Sequence, residues 1–194
     1  INAGGNTVVL NSPTVTNVSC FGGNNGALTA NASGGSGTYT YTWSNSQSGA
    51  TISNLTVGQY TVTVNDGVGC TVSGSYNVTQ PAQLSIDSDE VVNIGCNGSA
   101  SGAITVFVSG GVPNYAYNWT EQSNSQTFTG QSINNLSPDS YSVTVTDYNG
   151  CSVTVIYQIT QVTPLTFSQS QTEVLCNGGN SGSATITILT GTAP

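Results

Sequence analysis

Apolar and polar residues alternate along this chain with a period of two, in short runs broken by Gly- and Asn-rich stretches. The clearest runs come in matched pairs. Ala27-Leu-Thr-Ala-Asn-Ala-Ser33 matches Ala103-Ile-Thr-Val-Phe-Val-Ser109, and Tyr39-Thr-Tyr-Thr-Trp43 matches Tyr115-Ala-Tyr-Asn-Trp119. Tyr60-Thr-Val-Thr-Val-Asn-Asp66 matches Tyr141-Ser-Val-Thr-Val-Thr-Asp147. Successive side chains of a strand point to opposite faces, so this period predicts half-buried β-strands, and no helical period competes with it.

The pairing reflects an internal repeat, which decides architecture before other signals do. Cys20 opens Cys-Phe-Gly-Gly-Asn-Asn-Gly, Cys96 opens Cys-Asn-Gly-Ser-Ala-Ser-Gly, and Cys176 opens Cys-Asn-Gly-Gly-Asn-Ser-Gly. The template divides the chain into 1–12 (the end of a preceding repeat), 13–82 (repeat 1), 83–163 (repeat 2) and 164–194 (the start of a third). Thr192-Ala-Pro194 aligns with Gly111-Val-Pro113, so the third copy stops mid-motif and the sequence reads as a window on a longer polypeptide. Several short strands per repeat with turns between them predict an all-β fold of tandem immunoglobulin-like β-sandwiches, arranged end to end. Tyr60 and Tyr141 sit where such domains carry a tyrosine corner, and Trp43 and Trp119 fall at the core Trp of the third strand.

Composition narrows the function. The chain has no Lys, Arg or His and a net charge of −8. Phosphate neutralisation needs cations, so nucleic acid is not a partner, and anionic membrane surfaces are excluded for the same reason. Without imidazole or amine there is no common general base or amine nucleophile, so the chain reads as no enzyme. Asp66 and Asp147 are equivalent positions in separate repeats, suited to capping the turn before Gly69-Cys70 and Gly150-Cys151. No apolar run approaches the roughly 18 residues of a membrane span, so this segment does not insert directly.

Five cysteines, with no Cys-x-x-Cys and no His, point to disulfides in an oxidising compartment more than to zinc. Two pairings compete. Within repeats, Cys20 would join Cys70 and Cys96 would join Cys151, making each repeat self-contained and leaving the partner of Cys176 outside the window. Across repeats, Cys70 would join Cys96 and Cys151 would join Cys176, with more even spacing. Connectivity is not readable from sequence. The one acidic cluster, Asp87, Asp89 and Glu90, lies where the first two repeats meet and is a candidate calcium site; no other cofactor is implied. Tyr39, Tyr41 and Trp43 share a strand face, as do Tyr115, Tyr117 and Trp119; buried this is core, exposed it is a sugar-stacking platform. Edge strands without Lys leave self-association into a lateral filament as a further reading.

The motif order Cys-x-Gly, Gly-Gly-x-x-x-Tyr-x-Tyr-x-Trp, Leu-x-x-Gly-x-Tyr-x-Val-x-Val-x-Asp and Gly-Cys resembles the SprB repeats of Bacteroidetes surface adhesins, over residues 13 to 194. The second copy departs from it at Asp139, where the first has Gly58. The resemblance implies a very large secreted protein exported by the type IX system and held on the outer cell surface. It implies a role in gliding motility and attachment, without a catalytic site. Surface or polysaccharide ligands would then be bound by other parts of the full protein.

Overall fold

The computed structural model describes residues 7–95, 100–174 and 176–191. Residues 1–6, Cys96 and Thr192, Ala193 and Pro194 fall outside them. Every regular element is a strand: β1 Val9–Leu10, β2 Thr14–Thr16, β3 Gly26–Thr29, β4 Ala32–Ser33, β5 Thr40–Trp43, β6 Thr51–Leu55, β7 Gly58–Asn65 and β8 Thr71–Val78. There follow β9 Ser85–Val92, β10 Gly102–Ser109, β11 Ala116–Glu121, β12 Thr127–Thr129, β13 Ser132–Leu136, β14 Asp139–Thr146, β15 Ser152–Ile159, β16 Thr166–Thr172 and β17 Ser183–Thr190.

The strand order is immunoglobulin-like. In the first repeat, one sheet runs β2-β3-β6 and the other β5-β7-β8; in the second, the sheets run β9-β10-β13 and β12-β11-β14-β15. The first core draws Leu28, Ile52 and Leu55 from one sheet and Trp43, Val62, Val64 and Val78 from the other, so the two apolar faces close on each other. The period-two pattern is its cause: Leu28 is buried while its neighbours Ala27 and Thr29 are only half-buried, and Val62 and Val64 are buried around exposed Thr63. The second core repeats the plan with Ile104, Val106, Trp119, Ile133, Leu136, Tyr141, Val143 and Ile159. Gly26 and Gly102 begin the second strand of each sandwich. A Cβ there would lie 2.8 Å from Val78 and Ile159 respectively, so only glycine admits the opposite sheet. These are tandem immunoglobulin-like β-sandwiches.

Two differences between the copies have local causes. The first strand is continuous as β9 but split into β1 and β2 in the first copy, where Pro13 intervenes; a proline has no N–H for the ladder. Of residues 1–12, read from sequence as the end of a preceding repeat, the described residues 7–12 bring Val8 into the first core and pack Leu10 against it. Gly58 has no left-handed φ, so Asp139 replaces it without strain, and its carboxylate accepts the Ser123 N–H at 3.1 Å.

In a chain without cations, hydroxyl pairs take the cross-strand places that ion pairs often hold. Thr29–Thr51, Thr61–Ser75, Thr63–Ser73, Thr105–Ser132 and Thr144–Thr154 each join facing strands at 2.8–3.0 Å. β16 and β17 form an antiparallel hairpin with both faces exposed. By compactness the chain forms two units: residues 1–85 with 108–115 and 146–153, and residues 86–107 with 116–145 and 154–194. No helix is long and apolar enough to cross a membrane among the described residues.

Candidate functional site: the disulfide and its two turns

Two kinds of turn carry the described cysteines. In the Cys-x-Gly turn after β2, the Gly23 N–H donates to the Cys20 carbonyl at 3.0 Å. Gly22 sits at φ +72°, and a Cβ on Gly23 would meet Val18 Cγ1 at 3.0 Å. Val18 is buried beneath the turn and donates its N–H to Thr79 O at 2.9 Å, while Asn17 Oδ1 accepts the Thr79 N–H at 2.9 Å. The turn is thereby fixed at the end of the sandwich where β8 finishes. Gln80 extends the clamp by accepting the Gly22 N–H at 2.9 Å.

The Asp turn joins the last two strands. Asp66 Oδ1 accepts the N–H groups of Val68 and Cys70 at 3.1 and 2.9 Å; Asp147 Oδ1 accepts those of Asn149 and Cys151 at 2.9 and 2.8 Å. Both carboxylates are buried. Burial raises the Asp66 pKa, but the N–H groups of Cys70, Val68 and Ser36 outweigh it and hold the carboxyl below its usual value. Asp147 Oδ2 additionally accepts the Val112 N–H at 2.8 Å. The Gly-Gly bends make room for these carboxylates. Gly35 and Gly111 lie at φ +58° and +59°, and a Cβ on either would press to 2.8 or 2.6 Å from the Asp Oδ2. Tyr39 and Tyr115 tie the same bends by donating to Gly34 O and Gly110 O at 2.6 Å.

The disulfide joins Cys20 to Cys151, with Cα atoms 5.7 Å apart. Neither pairing expected from sequence accommodates it. The within-repeat pair Cys20–Cys70 fails because the two turns lie at opposite ends of one sandwich. Cys20 is held beside Thr79 and Gln80, past the end of β8, whereas Cys70 immediately precedes the eight residues of β8. Eight strand residues span roughly 26 Å, and a disulfide tolerates a Cα separation of only about 7 Å. With Cys151 bonded to Cys20, the pairs Cys96–Cys151 and Cys151–Cys176 are also excluded. Cys70 and Cys176 are free, exposed thiols. Asn149 adds a hydrogen bond at the junction, its Nδ2 donating to Ser19 O at 2.9 Å.

A hollow flanks the bond, lined by Phe21, Pro81, Ala82, Leu84 and Val153. Among its described lining residues none carries an acidic or basic side chain. Asp87, Asp89 and Glu90 are the candidate calcium ligands of the sequence. They lie on the extended strand β9, where alternation turns Glu90 away from the face shared by Asp87 and Asp89. Among the described residues no group of three acidic, Cys or His side chains can hold a metal.

The aromatic residues divide by depth. Trp43 and Trp119 are buried, and each indole N–H donates at 2.9 Å to a carbonyl, Gly49 O and Gly130 O respectively. The stacking surfaces of both indoles therefore face the core. Tyr60 and Tyr141 make tyrosine corners, donating at 3.0 Å to Thr56 O and Ser137 O four residues upstream. Tyr141 also lies 3.2 Å from the carboxylate of Glu121, itself buried. Burial first, then the Glu121 hydrogen bond and charge, push the Tyr141 phenol up to about 12. No sequence signal marked Glu121, since carboxylates are mostly exposed.

A family model for the SprB repeat matches residues 12–48, 88–124 and 168–194, more than half of the chain. This chain belongs to the SprB repeat family. Each match carries one Cys-x-Gly motif, and the first two extend through the strand bearing the buried Trp. No curated protein matches the sequence. The SprB repeats here are similar in structure to DIP-gamma IG1+IG2 (11% identity, TM-score 0.40, covering 80% of this chain and 97% of that one). They are also similar to the N-terminal eight Ig domains of Down Syndrome Cell Adhesion Molecule (10%, 0.41, 81% and 25%) and to the amphioxus IgVJ-C2 molecule (15%, 0.36, 80% and 97%). None reaches a TM-score of 0.5, so the immunoglobulin-like assignment of these SprB repeats stands on strand order and core composition.

Proposed function

We propose that this segment is a structural spacer within a secreted cell-surface protein that serves attachment and gliding motility. In this reading it sits outside the outer membrane and has no catalytic role and no cofactor. Surface or polysaccharide ligands are engaged by other parts of the full protein. The observation that carries the proposal is the Cys20–Cys151 bond, which closes a loop of 131 residues and so covalently ties one repeat to the next. Such a bond suits a segment that transmits force or resists extracellular unfolding. The burial of Trp43 and Trp119 argues against the carbohydrate-module reading, which needs exposed aromatic faces.

The test has two readouts. Antibodies raised against the segment should label intact cells that produce the protein. The isolated segment should show no change in tryptophan fluorescence when polysaccharides are titrated into it. Failure to label the cell surface, or saturable quenching by a polysaccharide, would overturn the proposal.

A further inference from the structure

Both turns that meet at the Cys20–Cys151 bond occur a second time among the described residues, each with its thiol free. Cys176 occupies the same turn as Cys20. Gly179 N–H donates to Cys176 O at 3.0 Å, as Gly23 does to Cys20 O, and Gly178 takes the left-handed φ of Gly22. A Cβ on Gly179 would meet Val174 Cγ1 at 3.2 Å, as one on Gly23 meets Val18 Cγ1 at 3.0 Å. Cys70 occupies the same turn as Cys151, with its N–H on the buried Asp66 Oδ1 and its carbonyl accepting the Asp66 N–H at 3.1 Å. The corresponding Asp147 N–H to Cys151 O distance is 2.9 Å. These are the two geometries that form a disulfide elsewhere in this molecule, and both remaining thiols are exposed.

We propose that Cys70 and Cys176 are unpaired halves of the same staple. Cys70 takes the Cys-x-Gly cysteine of another SprB repeat, and Cys176 takes the Asp-turn cysteine of another, whether in the same longer chain or in a separate one. Successive repeats are then linked by a rule of one bond each, the Cys-x-Gly turn of one repeat to the Asp turn of the next. The rule accounts for two cysteines per repeat although neither bonds within its own repeat. It rests on the observed disulfide and not on the surface-spacer reading, and it can fail while that reading stands. The oxidant is a small disulfide such as oxidised glutathione. One thiolate attacks it and releases one glutathione, and the partner thiolate then displaces the second. Two protein thiols become one S–S bond, and their two protons pass to the two glutathione thiolates, giving two reduced glutathiones. Val68 stands where Asn149 reaches Ser19 O, so pairing at Cys70 relies on the covalent bond without that hydrogen bond.

The test uses this chain in a glutathione redox buffer, with equal amounts of isotope-labelled and unlabelled copies. With no Lys or Arg to cleave at, peptides are mapped after chymotrypsin digestion under non-reducing conditions. The expected result is a ladder of linked copies whose bonds join Cys70 to Cys176, or to the sequence-equivalent Cys96. Mixed-isotope Cys70–Cys176 peptides mark bonds between copies and support the rule, whereas predominant single-isotope Cys70–Cys176 peptides would join the first repeat to the third, against the order of one repeat to the next, and would overturn it. Cys70→Ser should abolish these bonds while native tryptophan fluorescence is retained. If that variant misfolds, alkylating the exposed thiols of the folded chain gives the same readout. Predominant Cys70–Cys70 or Cys176–Cys176 bonds, a Cys70–Cys96 bond within one copy, or a Cys70 that stays reduced would overturn the proposal.

Discussion

Cutting the Cys20–Cys151 bond should change how far this chain can be stretched. The bond closes a loop with a sequence separation of 131 and holds its ends at a Cα distance of 5.7 Å. A force applied at the two termini bypasses that loop while the bond is intact, however completely the sandwiches inside it unfold. A fully extended chain spans about 3.3–3.6 Å per residue, so breaking the bond releases roughly 430–470 Å of hidden length. The same loop size gives about 5 kcal/mol of stabilisation on a chain-entropy model, which is model-dependent. The assay is single-molecule stretching of the chain tethered at both ends, with free thiols alkylated beforehand, before and after a reductant is added. Intact molecules should yield only the length of the segments flanking the loop. Reduced molecules should yield several hundred ångströms more, with the additional unfolding events of both sandwiches. Equal contour lengths in the two states would refute the connectivity. An increase matching a loop of about 50 residues would restore the within-repeat pairing.

Other consequences follow from the cores and the turns. Trp119→Ala and Trp43→Ala each remove a buried indole and its bond to a carbonyl, and should destabilise by about 3–5 kcal/mol in denaturant titration. Tyr141 has its folded pKa raised from 10.0 to about 12. Its contribution is therefore fully present below pH 10 and is lost as pH rises toward 12, so an ultraviolet phenol titration should show a late-ionising tyrosine that Tyr141→Phe removes. Asp66 has a lowered pKa, so its contribution is present above its ordinary value of 3.8 and is lost as pH falls below that through the lower folded value. Asp66→Asn should flatten this acid-side loss of stability, measured by thermal melts across that range. Gly111→Ala forces an L-residue into the left-handed region with a Cβ 2.6 Å from Asp147 Oδ2. It should destabilise the turn that carries Cys151 and slow formation of the Cys20–Cys151 bond, followed by timed alkylation during oxidative refolding.

Much of this molecule is legible in one dimension because its controlling interactions are local. Alternation at Ala27–Ser33 and Tyr60–Asp66 places one face of each strand in a core whichever sheet receives it. The tyrosine corner and the Asp turn each join residues four apart in sequence, so Tyr60, Tyr141, Asp66 and Asp147 reveal their roles by position alone. The absence of Lys, Arg and His excludes whole classes of chemistry without any coordinates. What the chain does not disclose depends on which end of a sandwich each turn occupies. Cys20 and Cys70 are separated by the length of a full strand, a distance that appears only once β7 and β8 have paired, and the bond passes instead to Cys151. Glu121 is similar: nothing in its neighbours marks it for burial, and only the packing of β11 beside β14 brings it to the Tyr141 hydroxyl. Asp87, Asp89 and Glu90 are adjacent in sequence, yet a strand alternates its faces and divides the cluster that proximity along the chain suggests. Local hydrogen-bonding and periodicity are properties of short segments and survive in sequence. Disulfide pairing and carboxylate burial are set by distances between segments, and only the folded chain determines those.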